Sequence, residues 1–343
     1  MMKLLQGDVG SGKTVVAVAA AYYVIKQYGG QVAILAPLEV LAQQHMASIS
    51  KLLLPLGIRV QLLTGSLTAK QKEQIKVSLA AGNIDIIIGT HAIIQESVEF
   101  HNLKLAIIDE QHKFGVKQRS FFHNHGSPHL LQMTATPIPR SLALAFFGEF
   151  TVSIIDEMPA GRKPIITKVI SESEYHKLKP WILTKISQGQ RVYVITPLIN
   201  ESETMELKSA LQMYEEICSI YSELTGRIAV LHGQMKSKEK DQIMLDFKAG
   251  KYDILVSTTV IEVGIDVPQA TVMVIKNAER FGLSQLHQLR GRVGRSDIQS
   301  YCFLETKNKY SDSAKKLKHL EETASGFALA EIDLQMRGSG EFL

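Results

Sequence analysis

The sequence predicts an α/β protein of two tandem parallel-sheet domains with a short helical C-terminal segment. Three observations carry this. Short apolar runs alternate with helix-patterned stretches in the first half, and the same alternation returns in the second. A complete phosphate-loop motif opens the first half. A polar stretch holding Pro159, Gly161 and Pro164 lies between the halves and places a boundary near residue 160. The expected division is 1–158, 159–306 and a tail of 307–343.

In the first half, Val32–Ala36, Asp85–Ile88, Leu105–Ile108 and Leu131–Met133 read as buried strands, because each run is short and rich in Ile, Leu or Val. Lys13–Gln27, Leu38–Leu54 and Thr68–Ala81 read as helices, with apolar residues at three- and four-residue spacing and stop signals at Gly29–Gly30 and Gly82–Asn83. In the second half, Arg191–Thr196, Arg227–Leu231, Asp253–Ser257 and Thr271–Ile275 read as strands, and Lys236–Ala249 and Ser284–Leu289 as helices. The tail is charged and helical to about Met336. The halves share an architectural grammar without being a close sequence repeat.

A chain of 343 residues with 45% hydrophobic and 21% charged residues is globular, neither fibrous nor disordered. No apolar run is long enough to span a bilayer, and no secretory leader pattern opens the chain, so a cytoplasmic location is expected, with no membrane partner. Cys218 and Cys302 form no close pair and read as reduced core residues. A net charge of +4 is compatible with phosphate contact and proves nothing alone.

Gly7, Asp8, Val9, Gly10, Ser11, Gly12, Lys13 and Thr14 match G-x-x-x-x-G-K-[ST] in full, after the apolar Met2, Leu4 and Leu5 and before a helix. Glycines let backbone N–H groups wrap an anion at a helix N-terminus. Lys13 would reach the β- and γ-phosphates and the Thr14 hydroxyl would ligate Mg²⁺. A glycine-rich turn can match by chance, but strand, loop and helix together disfavour that. The loop says nucleotide binding and does not separate a kinase from a motor.

The strand Leu105–Ile108 runs into Asp109, Glu110, Gln111 and His112, which places two carboxylates at the sheet edge where ligands of open α/β sheets bind. Asp109 is the candidate Mg²⁺ residue and Glu110 the candidate base that polarises water. Alone, such a pair reads as a solvated turn; downstream of a phosphate loop it reads as a hydrolytic site.

Residues 285–295, Gln-Leu-His-Gln-Leu-Arg-Gly-Arg-Val-Gly-Arg, set Arg290, Arg292 and Arg295 within six positions. The bland reading is a solvated basic turn. The functional one gives Arg292 and Arg295 the γ-phosphate of an ATP clamped between the two domains, with Gln288 assisting.

With these motifs placed, the chain resembles the superfamily-2 helicases along nearly its whole length. The resemblance implies RecA-like domains, ATP and Mg²⁺ as cofactors, and nucleic-acid contact candidates at Pro37, Gly65, Thr90, His91, His232, Gly233, Thr258 and Thr259. Thr134, Thr136, Gly264, Asp266 and Arg337 would couple hydrolysis to movement. Within that superfamily, residues 7–14, 109–116, 134–140 and 285–295 look like the RecG family. The transcription-repair coupling translocases are the nearest alternative; they usually carry Phe at the position of Ser11 and Glu at that of Gln111. Residues 327–341 are similar to the translocation motif that both groups share.

The resemblance implies an ATP-hydrolysing DNA translocase motor, acting as a monomer on duplex DNA, forks and Holliday junctions, with single-stranded-DNA-binding protein as a further partner. RecG proteins carry a wedge region ahead of the phosphate loop, and the chain reads as a motor portion without it. The competing readings are a transcription-repair motor and an ATP-gated DNA clamp without productive hydrolysis. The histidines beside the motifs are not spaced like a zinc site, so no metal beyond Mg²⁺ is expected.

Overall fold

The computed structural model describes residues 1–109, 126–135, 150–157, 163–197, 203–258 and 266–337. The chain forms two compact units, Met1–Met158 and Pro159–Leu343.

The first unit is built on strands β1 (Met2–Gly7), β2 (Gln31–Leu35), β3 (Val60–Leu63), β4 (Ile86–Gly89), β5 (Leu103–Asp109), β6 (His129–Thr134) and β7 (Thr151–Ile155). They form one sheet in the order β3-β4-β2-β5-β6-β1-β7, and every pairing is parallel. Parallel neighbours need crossovers, and the crossovers here include helices α1 (Lys13–Tyr28), α2 (Glu39–Leu53) and α3 (Ala69–Ala80). Every residue of β2 is buried, as a strand covered on both faces must be. Val32 and Ile34 join one core with Leu5, Ile107, Leu131 and residues of α1 and α2. Ala33 and Leu35 point to the opposite core with Leu4, Leu63, Ala106 and Ile108.

The second unit repeats the plan with β8 (Ile166–Ser171), β9 (Arg191–Ile195), β10 (Ile228–Leu231), β11 (Ile254–Ser257), β12 (Ala270–Ile275) and β13 (Tyr301–Thr306), in the parallel order β10-β11-β9-β12-β13-β8. Its described helices are α4 (Glu172–Lys177), α5 (Lys179–Ser187), α6 (Glu203–Ile220), α7 (Ser237–Ala249), α8 (Leu283–Arg290), α9 (Asp312–Lys315), α10 (Lys318–Glu322) and α11 (Gly326–Arg337). Val192, Val194, Val256, Val272 and Val274 meet Ile182, Met213 and Ile217 in its core.

The predicted strands and helices fall within a few residues of the observed ones. Thr68, placed in a helix by periodicity, is instead the N-cap of α3, in a reciprocal capping box with Gln71. Strands β3, β7, β8 and β13 and helices α4, α5 and α6 are additions that the sequence reading did not make.

One element does repeat between the units. Arg59 binds the Asp85 carboxylate 26 residues on and donates to the Gly82 carbonyl; Arg227 does the same to Asp253, also 26 residues on, and to the Gly250 carbonyl. Lys72 donates to the Gly65 carbonyl and Lys240 to the Gly233 carbonyl, each seven residues back. The strand–turn–helix–strand unit around each candidate contact turn is therefore held by the same five-residue set.

Candidate functional site

Parallel strands bring their C-terminal ends to one edge, and the motifs of the first unit gather there. The phosphate loop follows β1, the Pro37 turn follows β2, Gly65 follows β3, Thr90 follows β4, and Asp109 and Thr134 end β5 and β6. In register, Met133 of β6 pairs with both Asp109 and Leu5, so Asp109 lies level with the end of β1 and two strands away, about 10 Å across the sheet.

The loop has the backbone that its glycines allow. Gly10 and Gly12 take φ of 78° and 96°, values that a side chain disfavours. A Cβ on Gly7 would sit 2.5 Å from Ser11 Oγ and 3.2 Å from Ile155 Cβ, so a side chain there would crowd the loop. Ser11 N donates to the Asp8 carbonyl at 3.0 Å and closes the turn. Ser11 Oγ is buried without a hydrogen-bond partner among the described residues. Lys13 Nζ donates to the carbonyls of Gly7 at 2.7 Å and Asp8 at 3.0 Å, which folds the ammonium back into the loop. Thr14, in the first turn of α1, is partly exposed. This is a glycine loop at the start of a helix, with one ammonium folded into it and a buried hydroxyl to satisfy. It fits the phosphates of a nucleotide. No cluster of three or more His, Cys, Asp or Glu side chains that could hold a metal occurs among the described residues.

Asp109 is not isolated. Its Oδ2 lies 2.8 Å from His45 Nε2 of α2, and both side chains are mostly buried. A carboxylate only accepts, so His45 is the donor. No motif marked His45 in the sequence. The candidate contact turn Thr64–Ser66 is tied to the same helix, because Thr64 Oγ1 donates to Glu39 Oε1 at 3.0 Å and Ser66 Oγ donates to the same oxygen. Pro37 and Thr90 are partly exposed and Gly65 and His91 exposed. Thr134 is buried.

In the second unit, His232 and Gly233 follow β10 and are partly exposed. Thr258 follows β11 and is 0% exposed, so its side chain lies beneath the surface that a phosphate contact would use. Gln288 lies partly exposed on α8, and Arg292 and Arg295 lie partly exposed beyond its end. Arg295 pairs with Asp266 at 3.4 Å, which joins a candidate finger to a candidate coupling residue. Burial pushes the Tyr193 hydroxyl above its ordinary range, and the guanidinium charges of Arg295 and Arg292 partly offset that, so all three groups share one neighbourhood. Arg290 has another task. It is buried and donates to the carbonyls of Leu320, Thr323 and Ala324 at 2.8, 3.0 and 3.1 Å, and it meets His287 Nδ1 at 2.9 Å. Arg337 closes α11. Glu110, Gln111, His112, Thr136, Thr259 and Gly264 lie outside the described residues. Among the described residues no helix is long and apolar enough to cross a membrane.

Residues 2–144 match the DEAD/DEAH box helicase family and residues 174–297 the helicase conserved C-terminal domain. The chain is 54% identical to the ATP-dependent DNA helicase RecG of Streptococcus pneumoniae over 342 residues, 99% of this chain and 50% of that protein. It is 51% identical to RecG of Aquifex aeolicus, over all of this chain and 44% of that one. It thus spans about half the length of the curated relatives it matches. Among solved structures, RecG bound to a three-way DNA junction superposes with a TM-score of 0.86 at 45% identity, covering 99% of this chain and 44% of that one. S. cerevisiae Dbp5 bound to RNA and ADP BeF3 superposes with a TM-score of 0.66 at 17% identity, covering 97% and 88%, and shares the fold. Two RecA-like helicase domains in this order, matched from end to end by RecG proteins at about half identity, make the chain a member of the RecG family of helicases, corresponding to its motor region.

Proposed function

We propose that this chain is an ATP-hydrolysing motor that moves on duplex DNA, and that the protein built around it remodels forks and Holliday junctions. The single observation that carries the reading is the phosphate cradle of residues 7–14 at the same sheet edge as Asp109. Residues 1–158 would form the ATP-binding domain, 159–306 the second helicase domain and 307–343 the translocation element. The two compact units support the first of these boundaries.

In this reading Lys13 exchanges its loop carbonyls for the β- and γ-phosphate oxygens, and Thr14 and Asp109 hold Mg²⁺. The ion supplies positive charge against the phosphates when bound. Glu110, next to Asp109, takes a proton from the attacking water. Arg292 and Arg295 stabilise charge on the γ-phosphate, with the Asp266 pair orienting Arg295 and Gln288 assisting. Pro37, Gly65, Thr90, His91, His232, Gly233 and Thr259 face the DNA backbone, and Thr134, Thr136, Gly264, Asp266 and Arg337 relay the nucleotide state. Thr258 is left out because it is buried. DNA is the proposed partner, drawn from the junction-bound RecG relative; single-stranded-DNA-binding protein, a monomeric state and a cytoplasmic site belong to the same proposal.

The assignment is tested by measuring nucleotide affinity and hydrolysis side by side. Lys13→Ala should lose both. Glu110→Gln and Arg295→Ala should keep affinity within a few-fold and lose hydrolysis by about a thousandfold. Wild-type hydrolysis in Glu110→Gln would leave only a nucleotide-gated clamp.

A further inference from the structure

Helix α2 presents a stripe of buried residues to the core at four-residue spacing: Leu41, His45, Ile49 and Leu53. Three are aliphatic and the fourth is an imidazole. A polar ring on a buried stripe is costly unless it is bonded, and His45 is bonded to Asp109, 64 residues later in the chain. The helix therefore spends one core position on a carboxylate that ends a neighbouring strand of the sheet. An aspartate at a strand end has free rotation about two side-chain bonds. A donor fixed to a packed helix removes that freedom and leaves the other carboxylate oxygen to be aimed.

We propose that His45 is a positioning residue for Asp109, holding one carboxylate oxygen so that the other is presented to the Mg²⁺ of the bound nucleotide. This rests on the reading of Asp109 as the Mg²⁺ residue. A hydrogen-bond partner of this kind tunes a metal ligand without touching the metal, and its removal lowers metal affinity by about ten- to a hundredfold.

The test is calorimetric binding of ADP to the full chain, with and without Mg²⁺, for the wild type, His45→Leu, His45→Gln and Asp109→Asn. Leucine completes the aliphatic stripe and deletes the donor; glutamine keeps an N–H at comparable reach. His45→Leu should bind ADP as the wild type does without Mg²⁺ and lose about tenfold or more of the gain that Mg²⁺ brings. His45→Gln should recover most of that gain. The inference is overturned if His45→Leu keeps the full gain while Asp109→Asn loses it. It is also overturned if His45→Leu and His45→Gln weaken ADP equally in the absence of Mg²⁺, which would make His45 a packing residue. If Asp109→Asn itself keeps the gain, the Mg²⁺ assignment of Asp109 fails, and the inference falls with it.

Discussion

Arg290 donates to the Thr323 carbonyl at 3.0 Å, across 33 residues of chain, and so joins the arginine-rich motif to the segment that leads into α11. Its further bonds to Leu320 and Ala324 place one cation on the carbonyls at the end of α10, where the helix dipole is negative. The motif assigns the γ-phosphate role to Arg292 and Arg295 and leaves Arg290, in the same run, without one. The fold separates it from them, because it is buried and bonded within its own unit.

Arg290→Ala should therefore act on structure before chemistry. Losing three charge-assisted bonds to carbonyls, one buried and two part-buried, should cost about 3 kcal/mol of stability. Hydrogen exchange should rise across residues 318–337. Unchanged protection there would mean that α10 and α11 are held by other contacts.

Gly7→Ala tests the loop. The added methyl meets Ser11 Oγ at 2.5 Å and Ile155 at 3.2 Å, and both lie in packed surroundings. Overpacking of this kind costs about 1–3 kcal/mol. Nucleotide affinity should fall at least tenfold while the melting temperature falls only a few degrees. Wild-type affinity would show that the loop has room to spare.

Glu39 offers a handle on the contact turns. Its carboxylate accepts from Thr64 and Ser66, so Glu39→Ala should loosen the turn that carries Gly65. The DNA concentration giving half-maximal ATPase stimulation should rise several-fold, with hydrolysis in the absence of DNA unchanged. A fall in both would point to damage beyond the turn.

The Arg59–Asp85 clasp predicts an acid limb. Burial alone would raise Asp85, but its bonds from Arg59 outweigh that and hold its pKa below 3.8. A depressed carboxylate stabilises the fold above its unfolded pKa, and this contribution is lost as pH falls below about 4 toward the folded value. Asp85→Asn should cost about 1 kcal/mol at neutral pH, since Arg59 is half in solvent, and the deficit should shrink as pH falls below 4. A deficit independent of pH would assign the cost to packing.

Thiol chemistry provides a simple check of the second core. Cys302 is fully buried and its thiol is pushed up to about 12, while Cys218 is partly exposed. Alkylation of the native protein at pH 8 should modify Cys218 first and leave Cys302 unmodified until unfolding. Early labelling of Cys302 would contradict the packing of β13.

Much of this was legible in the chain because the relevant signals are local. The phosphate loop and the Asp109 strand end are contiguous motifs, and the central strands are unbroken apolar runs. Strands β7 and β8 escaped because they lie at sheet edges. None of Thr151–Ile155 and only two of Ile166–Ser171 are buried, and Lys168 and Ser153 interrupt the apolar pattern. The contacts of His45 and Arg290 were illegible for a different reason. Each partner lies tens of residues away, and only the folded unit brings them together. The repeated clasp of Arg59–Asp85 and Arg227–Asp253 was present as equal spacing, but the residues between differ enough to hide it.

The measurement that bears most directly on the motor is the rate of ATP hydrolysis by this chain with Mg²⁺, as fork DNA is added, alongside Lys13→Ala. The account predicts a basal rate that rises at least several-fold with DNA and is absent in Lys13→Ala at every DNA concentration. A rate that does not respond to DNA, or that survives in Lys13→Ala, would contradict it.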